Sequence, residues 1–358
     1  MRALLVTGSG ATPSVESVTL PDVGPGAVRV KVRAAGICHS DLSMIDGKLS
    51  PQFPLTLGHE AAGVVVETGA GVDTVKPGDH VVLNWSPACR RCWFCENGEP
   101  WLCVTSGTPS APGGVLADGT PVHVTLGLGA LADEVVVPAR AVIAVPQLLP
   151  FDAAALLGCA VLTGVGAVNN TARVRPGESV LVVGLGGVGL SVIVAARAAG
   201  AGRIIAVDVS EAKRALAVSA GATDYLVSDD TLHKSVRALT EGRGVDHAFE
   251  CVGRSTTIRT AWRAARRGGR VTVVGMGAKD DLVSLSALDI FHSAKTLRSS
   301  VYGNADPDVE VPELAARVVD GSLDLAPLIT HRITLEQAPE AFARMARGEG
   351  ARSVVIFE

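Results

Sequence analysis

The chain has 358 residues, 47% of them hydrophobic, which is enough for two domains with sizeable cores. Lys plus Arg total 32 and Asp plus Glu total 36, a net charge of -4. That balance argues against nucleic acid or an anionic membrane as the main partner, since either would favour a basic patch. The apolar run that begins Met1-Arg2-Ala3-Leu4-Leu5-Val6 is too short for a signal-peptide core and predicts a first strand instead. The expected compartment is therefore the cytoplasm, where clustered cysteines mean metal more often than disulfides.

Up to about residue 150 the chain predicts an irregular, mostly β domain. Its β-like runs are Val28–Val32, Ala62–Glu67, His80–Leu83 and Glu134–Val137, separated by turns such as Val75-Lys76-Pro77-Gly78-Asp79. The stretch Gly107–Gly129, rich in Gly, Pro and Thr, predicts a loop with little regular structure. Inside this half lie Cys89, Cys92, Cys95 and Cys103, spaced CxxCxxC and then x7-C. Four thiolates so close in sequence can close a tetrahedron around one cation, usually zinc, with no coordination position left open. Cys38, in Gly36-Ile37-Cys38-His39-Ser40-Asp41, His59, in Gly58-His59-Glu60, and Cys159, in Gly158-Cys159-Ala160-Val161-Leu162-Thr163-Gly164, are each weak signals alone. Together they supply two thiolates and an imidazole, a three-ligand zinc site with a fourth position free for water or substrate.

Ser179–Ala196 has no charge and is long enough to raise the question of a membrane span. Gly184, Gly186, Gly187 and Gly189 divide it into a strand and a helix, so no span is expected. From there strands and helices alternate. The expected strands are Ser179–Gly184, Arg203–Val209, Asp224–Ser228, His247–Gly253, Arg270–Met276 and Thr296–Tyr302. Helices are expected at Val188–Ala199, Glu211–Ala220, Leu232–Glu241 and Ser255–Arg267. Six apolar strands with helical crossovers predict a doubly wound parallel sheet, an α/β fold. The tail from about Asp306 predicts one or two helices and a last strand, Ser353–Phe357, which has no place in that sheet and is expected to return to the first domain.

Gly184-Leu185-Gly186-Gly187-Val188-Gly189 is a GxGxxG between an apolar strand and an apolar helix, with Asp208 at the end of the next strand. That setting predicts a dinucleotide site: Gly184 for the tight turn, Gly186 for close approach to the pyrophosphate, Gly189 for helix–sheet packing. A carboxylate at Asp208 would accept from the ribose hydroxyls and repel a 2'-phosphate, favouring NAD. Lys213 lies within reach of the same ribose, and Arg214 beside it keeps NADP open.

The ordered set of motifs resembles the zinc-containing medium-chain alcohol dehydrogenases over the whole chain. The resemblance implies a GroES-like, mostly β catalytic domain from both chain ends (residues 1–159 and 302–358, with a structural zinc lobe at about 87–103) and a Rossmann NAD-binding domain at 160–301. It implies two zinc ions per chain: a catalytic one on Cys38, His59 and Cys159, and a structural one on Cys89, Cys92, Cys95 and Cys103. Asp41 would orient His59, Glu60 would lie near the metal, and Ser40 would take the proton of the alcohol. Thr163 and Val188 would shape the nicotinamide pocket, the backbone at Val274-Gly275-Met276 would hold the carboxamide, and His39 and Arg352 would contact the pyrophosphate. Cys251 has no metal role in this scheme and is read as core packing.

The implied activity is reversible hydride transfer between a primary aliphatic or aromatic alcohol and NAD. Many relatives end their proton relay in a His at the position of Ser43, so the proton here is expected to leave through water. The alternative is a formaldehyde dehydrogenase dependent on glutathione or a similar thiol. Its relatives carry acids in the loop after the first zinc ligand, where this chain has Asp46-Gly47-Lys48-Leu49. Leu49, with Trp85, points instead to an apolar pocket, although Trp85 reads equally well as core. A nucleic-acid-binding zinc module rests only on Arg90 and Arg91, and a fold kept merely for binding would be expected to lack zinc ligands, none of which is missing. The family's precedent is a homodimer or a tetramer; the span from Cys103 to Val135 resembles dimeric members, whose counterpart of Thr296–Tyr302 pairs across a two-fold axis.

Overall fold

The strand Ala27–Gly36 shows a clear two-residue period: Val28, Val30 and Val32 are buried, while Lys31 faces solvent. The computed structural model describes residues 1–49, 51–106 and 111–358, which divide into two units, Met1–Leu162 with Asp306–Glu358 and Thr163–Ala305. The division falls a few residues after the boundaries that the sequence suggests.

In the first unit Ala27–Gly36 is the organising strand of a seven-stranded sheet. It pairs antiparallel with Ala61–Thr68 along most of its length and with Glu134–Pro138 at its start. At its end it pairs with Arg352–Ile356, Val354 opposite Gly36. The tail strand thus joins the first unit, where a neighbour absent from the sequence reading, Ile329–Ile333, runs parallel beside it. In a second, five-stranded sheet Arg2–Val6 lies between Ser14–Ser17 and Leu55–Thr56. A large core of Val, Leu, Ile and Ala, including Val30, Val32, Leu57 and Val355, fills this unit.

The stretch 107–129 is more regular than expected. Residues 107–110 lie outside the described residues, but Gly114–Val115 and Pro121–Val124 form a hairpin. Pro121–Val124 also runs parallel to Leu55–Thr56, and Val115 bridges Thr19. Such short strands carry little period of their own, and their partners are far away in sequence. In the motif Gly158–Gly164, Gly158 and Cys159 join two helices, Phe151–Leu157 and Ala160–Gly166, and the rest of the motif lies within the second.

The second unit is a six-stranded parallel sheet. Across it the strands run Asp224–Val227, Arg203–Asp208, Ser179–Val183, Val245–Glu250, Ala265–Val273 and Thr296–Ser299, so the order reverses beside the first strand in sequence. Ser179–Val183 is buried from Val180 on, as a strand covered on both faces must be. The helix expected to reach Arg267 stops at Ala264, where Ala265 turns extended and pairs with Val245. Among the described residues no single helix is long and apolar enough to cross a membrane.

Candidate active site

Two strand ends and one helix junction bring the scattered ligands together. Ala27–Gly36 runs into Ile37, whose N–H donates to Ser353 O at 2.9 Å, and then into Cys38 at the start of the helix His39–Ile45. His59 and Glu60 immediately precede the paired strand Ala61–Thr68, and Gly36 N donates to Glu60 O at 2.7 Å. Cys159 lies between the helices Phe151–Leu157 and Ala160–Gly166. Cys38, His59 and Cys159 are all buried, with their ligand atoms within 4.8 Å of one another. His59 Nε2 lies 3.5 Å from Cys159 Sγ.

The groups behind the ligands are preassembled. Asp41, fully buried, accepts from Gly58 N at 2.8 Å and faces His59 Nδ1 at 3.3 Å. With Nδ1 protonated toward Asp41, Nε2 presents its lone pair to the two cysteines. Gly58 is at φ +99, and a Cβ there would sit 2.3 Å from Leu131 N, so the motif needs its glycine. Gly36 likewise leaves room for the Glu60 carboxyl, which a Cβ would meet at 2.9 Å. Glu60 is 3.3 Å from Arg352, whose guanidinium donates to Ile37 O at 2.9 Å and lies 3.6 Å from Cys38 Sγ. Arg352, expected at the pyrophosphate, is thus buried against a ligand thiol, 314 residues from it in sequence. No spacing signal connects such distant positions.

The local charges suit a soft cation. The hydrogen bond with Cys159 and the charges of Arg352 and His59 hold the Cys38 thiol well below its ordinary pKa, against burial. The same bond and burial push Cys159 up. Burial alone would lower the imidazole of His59, but Asp41 and Cys38 outweigh it and raise it. Burial pushes Glu60 up to about 8, although Arg352 pulls the other way. Two sulfurs and one nitrogen, with no fourth protein ligand among the described residues, fit a zinc site that keeps an open position. Ser40 stands beside it, its Oγ 3.9 Å from Cys38 Sγ. His39 and Leu49 are exposed, whereas Trp85 packs on the core.

The second cluster holds Cys89, Cys92, Cys95 and Cys103, again within 4.8 Å of one another. Cys103 Sγ accepts from Cys89 N at 3.2 Å and meets Thr105 Oγ1 at 3.2 Å. Burial opposes its ionisation, yet these contacts bring it down to about 6. The donor set fits a closed four-thiolate zinc. Arg90, at φ +60, reaches out of this lobe to both oxygens of Asp306 at 2.6 Å and to Asp308. Cys251 belongs to neither cluster.

In the parallel-sheet unit, Gly184 turns at φ +91 and the helix Gly187–Ala198 begins inside the glycine motif. A Cβ on Gly189 would lie 1.9 Å from Gly184 O, so helix and strand pack closer than any other residue allows. Asp208 Oδ2 accepts from Leu185 N at 2.9 Å, tying the acid to the turn, and Lys213 is buried nearby. Thr163, Val188 and Val274 are half-buried and Met276 is exposed, so each retains surface for a ligand. This constellation fits a dinucleotide.

Residues 24–147 match the alcohol dehydrogenase GroES-like domain family, and residues 187–320 match the zinc-binding dehydrogenase family. The chain is 35% identical to S-(hydroxymethyl)glutathione dehydrogenase of Photobacterium damsela subsp. piscicida, over 99% of each. Among solved structures it resembles an alcohol dehydrogenase zinc-binding domain protein of Burkholderia ambifaria, at 31% identity and a TM-score of 0.93, covering 100% of this chain and 98% of that one. It also resembles benzyl alcohol dehydrogenase of Acinetobacter calcoaceticus, at 26% identity and a TM-score of 0.92, covering 100% and 99%.

Proposed function

The chain belongs to the zinc-containing medium-chain alcohol dehydrogenase family, oxidoreductases acting on CH–OH, and we propose that it interconverts a primary aliphatic or aromatic alcohol and its aldehyde with NAD. The buried Cys38–His59–Cys159 set, which offers three ligands and no fourth among the described residues, carries this reading. Zinc held by Cys38, His59 and Cys159 would supply the Lewis acidity that makes the alcohol proton labile, and a nicotinamide dinucleotide held at the glycine turn and Asp208 would supply the hydride acceptor. Ser40 Oγ takes the hydroxyl proton and passes it toward solvent. Asp41 holds the imidazole of His59 in one tautomer and one orientation. Arg352 offsets the negative charge of the Cys38 thiolate and stands 3.3 Å from the Glu60 carboxyl.

A thiol-adduct substrate is the second reading, supported by the 35% identical relative named as a dehydrogenase of S-(hydroxymethyl)glutathione. Against it, Asp46 is the only acid in the loop 46–49, and Lys48 already pairs with it at 2.5 Å. Exposed Leu49 in that loop favours an apolar substrate, as does the likeness to a benzyl alcohol dehydrogenase. Rates with benzyl alcohol and hexanol, set against formaldehyde with and without glutathione, decide between them. Thiol-dependent turnover above the free-alcohol rate would reverse the ranking.

The edge strand Thr296–Ser299 supports a homodimer. All four of its residues are exposed, and Leu288, Phe291 and Val301 lie close to it in sequence with exposed apolar side chains. An unprotected apolar edge is best covered by a second copy in register. Light scattering should give twice the chain mass, and Phe291→Asp should shift it toward the monomer.

A further inference from the structure

Arg214 is the residue that keeps NADP open in the sequence, because a guanidinium is the best partner for a 2'-phosphate. In the structure it is already engaged. Its Nη2 donates to Glu211 Oε2 at 3.1 Å and its Nε to the other oxygen of the same carboxylate. Its guanidinium also lies over the ring of Tyr225, 4.7 Å from the centroid. Tyr225 stands on the neighbouring strand opposite Ala206, and its hydroxyl donates to Ser210 O. Ser210 N in turn donates to Asp208 Oδ1 at 3.2 Å. The turn after Asp208 is therefore pinned from Tyr225, and the arginine is seated on the same ring. Burial, then the charges of Asp208 and Glu211, push the Tyr225 hydroxyl up to about 12, so both carboxylates bear on this spot.

We propose that Glu211 is a specificity-determining residue: with Tyr225 it holds the Arg214 guanidinium and cancels its charge, so that two acids rather than Asp208 alone exclude NADP. A 2'-phosphate carries nearly two negative charges and would meet Asp208 and Glu211 together, with the one suitable fork already bound. This inference rests on reading the glycine turn and Asp208 as the nucleotide site.

Fluorescence titration with NADH and NADPH tests it on the wild-type protein, Glu211→Gln, and Glu211→Gln combined with Arg214→Ala. Glu211→Gln should lower the NADPH Kd roughly tenfold, the gain expected from one freed charge-assisted fork. Adding Arg214→Ala should cancel that gain. NADH binding by each variant reports that the site is still folded. An unchanged NADPH Kd in Glu211→Gln, or a gain that survives the loss of Arg214, would overturn the clamp while leaving the dehydrogenase reading in place. Wild-type protein that bound NADPH as tightly as NADH would do the same. Wild-type protein that bound neither nucleotide would instead sink the nucleotide site itself.

Discussion

Cys38, His59 and Cys159 are buried inside a core that would exist without them, and three further buried groups, Asp41, Glu60 and Arg352, stand behind them. Cys89, Cys92 and Cys95 are half-exposed, on a lobe whose short helix, Trp93–Glu96, buries nothing. Trp93 there is 65% exposed. In the first cluster the fold positions the ligands, and in the second the ligands substitute for a core. One metal site should therefore be removable without harm to the fold, and the other should not.

The largest expected effect comes from Cys159→Ser. Turnover should fall on the order of a thousandfold, since several kcal/mol of charge stabilisation depend on the bound metal. Zinc content should drop from two to one per chain, with the melting temperature nearly unchanged. A large loss of stability would erase the contrast between the clusters. Cys103→Ala should do the reverse, costing about 3 kcal/mol or more of stability and opening the lobe to protease. Limited digestion with mass spectrometry reads this directly, and a lobe that resists cleavage would show that it has a core of its own.

Asp41→Asn should weaken zinc at the three-ligand site by roughly 10- to 100-fold, the usual consequence of losing a carboxylate behind a histidine ligand. Chelator competition measures it, and the four-cysteine zinc should not respond. Arg90→Ala removes the clamp from the lobe to Asp306 and Asp308. Being partly exposed, that clamp is worth about 1 kcal/mol or less, so the lobe should release zinc only a few-fold faster. Ser43→His should leave both metals in place and change only the pH profile. The wild-type rate should climb toward alkaline pH without a step, whereas the variant gains one near the His pKa of about 6.5.

The two clusters also differ in how far the sequence discloses them. The four cysteines and the glycine turn are local patterns, and their spacing, with the strand and helix that flank the turn, points to what they bind. Cys38, His59 and Cys159 are each weak signals in the sequence and gain weight only together and with the resemblance, because their meeting depends on the pairing of Ala35 with Ala61 and on a helix junction a hundred residues away. Arg352 against Cys38 was not legible at all, since the last strand's register decides it. Nor was the hairpin at 114–124, whose strands are held mainly by partners elsewhere. The engagement of Arg214 by Glu211 is different again. The three-residue spacing is visible in the sequence, but the ring that seats the pair comes from another strand.

The pairing of Arg352–Ile356 with Ala34–Gly36 has a consequence for biosynthesis. The three zinc ligands have all been translated by residue 159, yet the strand that backs Cys38, and the guanidinium beside it, leave the ribosome nearly two hundred residues later. Until then the Ala34–Gly36 end of one edge lacks its partner, although Glu134–Pro138 already covers the start of that edge, and the pocket has its thiols without their counter-charge. Over that interval Cys38 lacks both its backing strand and the guanidinium beside it, so alterations at residues 352–356 act on the ligand cluster from positions more than three hundred residues away in sequence.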